Sequence, residues 1–168
     1  MKTIKMVAVA LFTVFGITTA FAQKNAKPAF NKILNHYMVT KNALADDKKD
    51  KAVVDAKEFL EAVKAFPAAE LKGEQKKLWD EQSAELIKGA TPISSNNVLK
   101  DQRESFKTVS YAMIKLVKGL KMNSSEIYLQ YCPMVKSSWL NEVKAVQNPY
   151  YGSMMYDCGE VKETISKK

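Results

Sequence analysis

The amino-acid sequence predicts a mostly α-helical protein, an antiparallel four-helix bundle with a small irregular or β appendage at its C-terminal end. Four consecutive segments carry apolar residues at the i, i+3, i+4, i+7 spacing of an amphipathic helix. Short polar turns separate these segments, which is typical of up-and-down bundles. After Lys121 the helical period disappears, and the remaining chain is rich in aromatic and turn-forming residues.

The first 22 residues have the organisation of a secretory signal peptide. Lys2 and Lys5 give a basic start, residues 6–22 carry no charge, and Ala20-Phe21-Ala22 is a small-x-small cleavage pattern. A retained membrane anchor is the disfavoured alternative, because the run is short for a membrane span. We expect cleavage after Ala22, a single domain over residues 23–168, no membrane insertion after cleavage, and a periplasmic or secreted location.

The first two helices are predicted at about residues 28–45 and 50–66. The apolar residues of the first fall on one face, which places Lys41 on the polar face. Asp46, Asp47 and Asp50 are candidate caps for the second helix, and Pro67 ends it.

The third helix is predicted at about residues 69–88, with Gly89 and Pro92 beyond it as stop signals. The fourth runs from residue 98 to about 120 and has two polar members in its apolar stripe, Arg103 and Ser110. Arg103 would need a carboxylate or carbonyl partner if buried. The bundle thus covers about residues 28–121, and the appendage about residues 122–168.

The charge distribution argues against a nucleic-acid partner. The 168 residues include 26 Lys or Arg and 18 Asp or Glu, for a formal net charge of +8. Lysines are scattered along every segment, whereas nucleic-acid binders concentrate basic and aromatic residues on one face. We expect a solvated, lysine-rich surface and no nucleic-acid binding.

The appendage gathers sulfur-bearing residues into one irregular segment. Residues 127–131 have the pattern of a short strand, and residues 161–165 that of a second strand pairing back onto it. Between and beside them lie the sulfur-bearing residues Cys132, Met134, Met154, Met155 and Cys158.

Short motifs follow one another in this segment. They are Cys132-Pro133-Met134, Trp139-Leu140, Asn148-Pro149-Tyr150-Tyr151-Gly152, and Met155 separated by two residues from Cys158-Gly159. In this order they resemble the signature of a family of exported bacterial proteins of unknown function. Members of that family occur alone after a signal peptide, or as the C-terminal domain of periplasmic adaptor subunits of heavy-metal efflux pumps.

The resemblance implies a heavy-metal context, with partners among the periplasmic components of a metal efflux system. Two positions depart from the family pattern, since Tyr131 and Leu78 stand where many relatives carry histidine. If those histidines bind metal in the family, this chain either lacks part of the site or binds metal through sulfur alone.

The leading functional interpretation is a soft-metal site formed by Cys132, Met134, Met155 and Cys158. Cu(I) and Ag(I) prefer thiolate and thioether ligands, so these four residues suit either ion. Met154 and His36 are additional candidate ligands, although a lone histidine on a helix flank is more often a packed or surface residue. The sequence thus favours an exported Cu(I)- or Ag(I)-binding protein, accessory to heavy-metal efflux or homeostasis.

The same cysteines allow a structural alternative, a Cys132–Cys158 disulfide in an oxidising compartment. It would close a loop of about 27 residues and stabilise the fold by roughly 3 to 4 kcal/mol. The protein would then be a non-catalytic, disulfide-stapled helical interaction domain without a metal. Trp139 and Tyr151 are candidate docking anchors. Packing over the end of the bundle is the open alternative for Trp139 and the expectation for Tyr150.

No motif indicates an enzyme. The chain has no phosphate-binding Gly-rich loop, no GxSxG and no HExxH. Its two cysteines are not spaced as CxxC, which a thiol oxidoreductase would ordinarily show. We therefore expect no catalytic residues.

Overall fold

The computed structural model describes residues 25–168 and consists of four helices followed by a three-stranded antiparallel sheet. The helices are α1 (Ala26–Ala45), α2 (Lys49–Lys64), α3 (Gly73–Ser95) and α4 (Leu99–Leu120). The strands are β1 (Ile127–Cys132), β2 (Ser137–Asn141) and β3 (Glu160–Ile165), and single 3-10 turns occur at Ala68–Glu70 and Gly152–Met154. The predicted fold class, a helical bundle with a small C-terminal β appendage, is confirmed.

The predicted signal peptide lies outside the described residues. Between residues 25 and 168, no helix has both the length and the apolar character that crossing a membrane would require.

The bundle is held together by the predicted apolar stripes. Consecutive helices pack against each other, and α1 also packs against α4. Aromatic rings join helices across the core: Tyr37 of α1 stacks on Phe106 of α4 with ring centroids 5.2 Å apart. Phe66, which follows α2, stacks on Trp79 of α3 with ring centroids 3.7 Å apart. Burial of such large apolar side chains is the main source of stability for a fold of this kind.

Helix α3 differs from the prediction at both ends. It begins at Gly73, because residues after Pro67 form a separate 3-10 turn, and it continues through Gly89 and Pro92 to Ser95. Gly89 is buried against α4, where an added Cβ would lie 2.8 Å from Cγ2 of Val109. Packing of this last part of α3 against α4 therefore outweighs the local stop signals.

Lys41 is fully buried, so its predicted position on the polar face is wrong. Its Nζ donates to Oδ1 of Asn141 at 2.6 Å and to Oε1 of Gln147 at 2.8 Å, and lies 3.3 Å from Oε2 of Glu142. Burial lowers the pKa of Lys41 from its ordinary value, and the Glu142 carboxylate partly opposes this effect. The partners lie about 100 residues further along the chain, where periodicity within α1 cannot indicate them.

The sheet has the strand order β2-β1-β3, with β1 antiparallel to both neighbours. The predicted pairing of the last strand onto the first is confirmed by β1 and β3. Strand β2 has no counterpart in the sequence prediction, and it is the strand that packs against α4. Side chains from all three strands belong to the same buried cluster as the helix stripes, among them Ile127, Leu140 and Ile165.

Candidate functional site

The structure brings Cys132 and Cys158 into contact. Cys132 is the last residue of β1, and Cys158 lies two residues before β3. The pairing of Tyr131 with Glu160 places the two cysteines side by side, with their Sγ atoms 3.1 Å apart. Both are free thiols; Cys132 is fully buried and Cys158 is partly exposed. We call these two residues the thiol pair.

The surroundings of the thiol pair favour negative charge on Cys132. Burial alone would raise the pKa of Cys132, but hydrogen bonds from the Val135 amide, the Cys158 thiol, the Met134 amide and the Asn148 side chain together lower it. The pKa of Cys158 is raised, first by its hydrogen bond to Cys132 and then by burial. Either thiol can donate the hydrogen bond between the two sulfur atoms, and it is the backbone amides and the Asn148 side chain that favour the thiolate at Cys132.

Asn148 organises the loop that carries Cys158. Its side chain is fully buried, and its Nδ2 donates to the carbonyl of Cys158 at 2.9 Å. Its Oδ1 accepts the amide of Tyr150 at 2.9 Å and the amide of Tyr151 at 3.3 Å. The sequence indicates this asparagine only as part of a turn. The signal that could have identified its role is the Asn-Pro step, because asparagine side chains commonly bond backbone groups two residues on.

Gly159 allows the chain next to Cys158 to pack closely against β1 and β2. Its φ is 151°, and an added Cβ would lie 3.0 Å from Cη2 of Trp139 and 3.0 Å from the carbonyl oxygen of Tyr131. A residue with a side chain would push this segment, and Cys158 with it, away from β1.

Trp139 is fully buried, which contradicts the docking-anchor hypothesis for this residue and agrees with the packing alternative. It lies on β2, and its ring meets that of Tyr150 edge-on with centroids 5.7 Å apart. Tyr150 is buried as predicted and donates its hydroxyl to the carbonyl of Ser138 at 2.7 Å. Tyr151, the other candidate anchor, is partly exposed.

The candidate thioether ligands lie in the turns next to the cysteines. Met134 is in the β1–β2 turn and is 61% exposed, while Met155 is partly exposed and accepts the Cys158 amide through its carbonyl at 3.1 Å. Met154 is 74% exposed and lines a separate groove with Arg103 and Tyr151.

His36 lies on α1, where Nδ1 is 3.5 Å from Oε2 of Glu58 on α2. Over residues 25–168, no group of three or more His, Cys, Asp or Glu side chains is arranged to hold a metal ion. Of the predicted ligands, the structure thus brings together the two cysteines and leaves His36 beside Glu58.

An ion pair ties the C-terminal loop to the bundle. Arg103 of α4 donates from Nη2 to the carbonyl of Leu44 at 2.8 Å and to the carboxylate of Asp47. Asp47 also accepts the hydroxyl of Ser153 and, at 3.2 Å, its amide. The expectation that Arg103 needs a carboxylate or carbonyl partner is therefore confirmed, and both kinds are present.

A family described as "Protein of unknown function (DUF3347)" matches residues 33–125, which cover α4 and most of the bundle. No curated protein and no solved structure shows significant similarity to the chain.

Proposed function

The chain belongs to this uncharacterised family, DUF3347, and from its own residues we propose that it is an exported protein that binds Cu(I) or Ag(I) through the thiol pair. The observation that carries the proposal is the 3.1 Å contact between Cys132 Sγ and Cys158 Sγ. Two adjacent thiols, one of them polarised towards the thiolate, form the soft donor set that these monovalent ions prefer.

The thioethers of Met134 and Met155 complete the proposed site. Met134 lies two residues after Cys132, and Met155 lies three residues before Cys158, so each thioether is close in sequence to one sulfur of the thiol pair. Thioethers are neutral and soft, which favours Cu(I) and Ag(I) over hard divalent ions. Cys132 is fully buried, so the protein would limit water access to an ion bound at its sulfur.

The biological role proposed for this site is accessory to heavy-metal efflux or homeostasis, without catalytic activity. Its support is the order of the motifs from Cys132-Pro133-Met134 to Cys158-Gly159, which resembles that of the domain attached to periplasmic efflux adaptors. The proposal includes a cleaved signal peptide at residues 1–22 and partners among periplasmic efflux components.

The same contact favours a second candidate, a Cys132–Cys158 disulfide that staples the C-terminal loop to the sheet. Adjacent thiols in an oxidising compartment can form this bond with little backbone movement. The oxidised pair offers no thiolate to a metal. The two candidates are therefore distinguished by what the reduced protein binds.

A competition titration with Cu(I) tests the proposal. The reduced mature chain is titrated without oxygen against a chromophoric Cu(I) chelator, beside the Cys132→Ser, Cys158→Ser, Met134→Leu and His36→Ala variants. We expect one Cu(I) per chain for the wild type, loss of competitive binding in both cysteine variants, weaker binding for Met134→Leu, and no change for His36→Ala. Unchanged affinity in both cysteine variants would overturn the proposal.

A further inference from the structure

Burial divides the thiol pair into an accessible sulfur and an enclosed one. Cys158 is partly exposed, whereas Cys132 has no exposed surface. A reagent arriving from solvent therefore meets Cys158 first, and it reaches Cys132 only when the fold opens locally. Metal binding by the pair does not require this difference.

We propose that the thiol pair also exchanges with low-molecular-weight disulfides, with Cys158 as the attacking sulfur and Cys132 as the resolving sulfur. This activity goes beyond the proposed metal binding and needs no metal. It rests on the difference in burial and on the contact between the two sulfur atoms.

The exchange consists of two displacements at sulfur. In the first, Cys158 loses its proton to solvent and its sulfur attacks one sulfur of the external disulfide, so that a mixed disulfide forms, the external S–S bond breaks and one external thiolate leaves. In the second, Sγ of Cys132 attacks Sγ of Cys158 and displaces the other external thiolate. The protons of the two cysteines pass through solvent to the two leaving thiolates. The protein dithiol loses two electrons, and the external disulfide is reduced to two thiols.

The geometry suits the second displacement. Cys132 Sγ already lies 3.1 Å from Cys158 Sγ, which is within the separation expected of reacting atoms poised to attack. Strand pairing fixes Cys132, and the Asn148 side chain holds the carbonyl of Cys158. Cys132 therefore needs no access to solvent, because its target is in contact with it from the start.

Glutathione disulfide is the probe for a test with metal-free, reduced mature protein. We expect Cys132→Ser to accumulate a glutathione mixed disulfide at Cys158 in native buffer. Cys158→Ser should react on the order of 100-fold more slowly, because its remaining thiol reacts only through local opening. In denaturant the two variants should react at similar rates, which controls for the intrinsic reactivity of each thiol. Similar rates in native buffer, or faster reaction of Cys158→Ser, would overturn the assignment.

A second measurement uses the wild type and does not depend on the folding of any variant. The reaction is quenched with acid at early times, and the remaining thiols are alkylated in denaturant before peptide mapping. Chains trapped as the mixed disulfide should carry glutathione on Cys158 and the alkyl group on Cys132, and the other reacted chains should hold the Cys132–Cys158 disulfide. Glutathione on Cys132 would contradict the proposal. Since no metal is present, failure of this exchange and failure of the Cu(I) titration are separate results.

Discussion

Arg103 of α4 and Asp47 of the α1–α2 turn form an ion pair on which the C-terminal loop rests. The backbone of Gly152 lies directly against this pair, with a φ of 57°. Ser153 then bonds the same carboxylate. One half-buried ion pair thus joins two helices of the bundle to the loop that leads to Cys158.

Replacing Gly152 by alanine should destabilise the fold markedly. The added Cβ would overlap both Nη2 of Arg103 and Oδ1 of Asp47. We expect a loss of about 3 kcal/mol in the free energy of unfolding, from overpacking and from the left-handed backbone. Chemical denaturation measures this loss.

Gly73 provides the matched control for that variant. Its φ is 51°, close to that of Gly152, but an added Cβ would meet nothing within 4 Å. Gly73→Ala should therefore lose only about 1 kcal/mol, the cost of the backbone conformation alone. Equal losses in the two variants would show that the contact with the ion pair has no energetic effect.

Asp47 should make stability depend on acidic pH. Its pKa is lowered from the ordinary 3.8, chiefly by the hydrogen bond from Ser153, with Arg103 adding to the effect against the opposing cost of burial. Near pH 3.8 the unfolded chain therefore binds more protons at this residue than the native state does. The stability that Asp47 contributes is complete above this pH and is lost as the pH falls through the native pKa.

The measurement is the unfolding free energy of the wild type and of Asp47→Asn between pH 7 and pH 2. The variant should be less stable at pH 7, and the difference should shrink as the pH falls below about 4. A difference that stays constant across this range would contradict the assigned role of the Asp47 carboxylate.

These contacts show what the sequence could and could not predict. The helices α1, α2 and α4 follow from apolar periodicity, because each buries one face along its length. The end of α3 does not, since the burial of Gly89 against α4 is a tertiary effect that overrides a local stop signal. The sequence shows that Arg103 needs a partner if it is buried, but it does not show that this partner is Asp47.

The candidate site was predictable in composition but not in arrangement. Its cysteines and methionines are evident from the motifs, and the pairing of β1 with β3 follows from two strand patterns. Strand β2 was missed because its two serines obscure the buried Trp139 and Leu140. The roles of Asn148 and Lys41 depend on contacts between distant segments, which periodicity does not contain.

Tyr37→Phe should weaken the attachment of the sheet to the bundle. The Tyr37 hydroxyl accepts the amide of Leu140 at 3.0 Å and shares a hydrogen bond with Ser110 at 2.9 Å, all buried. Its removal leaves a buried amide without its acceptor, which costs about 1 to 3 kcal/mol. Tyr111→Phe is the control, because Tyr111 is 46% exposed, and we expect a change below about 0.5 kcal/mol. Thermal or chemical unfolding of the two variants provides the comparison.

Lys41→Met should also destabilise the protein, although it removes a buried charge. The substitution leaves Oδ1 of Asn141, which is fully buried, without the donor at 2.6 Å. We expect a loss of about 1 to 3 kcal/mol. Lys57→Met, at an exposed position of α2, controls for the loss of a lysine. A more stable Lys41→Met variant would mean that the free-energy cost of burying the ammonium group exceeds the stabilisation from its three polar contacts.

The central claim, that the thiol pair binds a soft metal, is tested most directly by counting free thiols before and after addition of Cu(I). The mature chain is reduced, freed of reductant without oxygen, and treated with a thiol reagent in native buffer and in mild denaturant, with and without one equivalent of Cu(I). Without the metal, we expect Cys158 to react rapidly in native buffer and both thiols to react in mild denaturant, and a single equivalent of Cu(I) should protect both. Two thiols that remain equally reactive with Cu(I) present would contradict the claim.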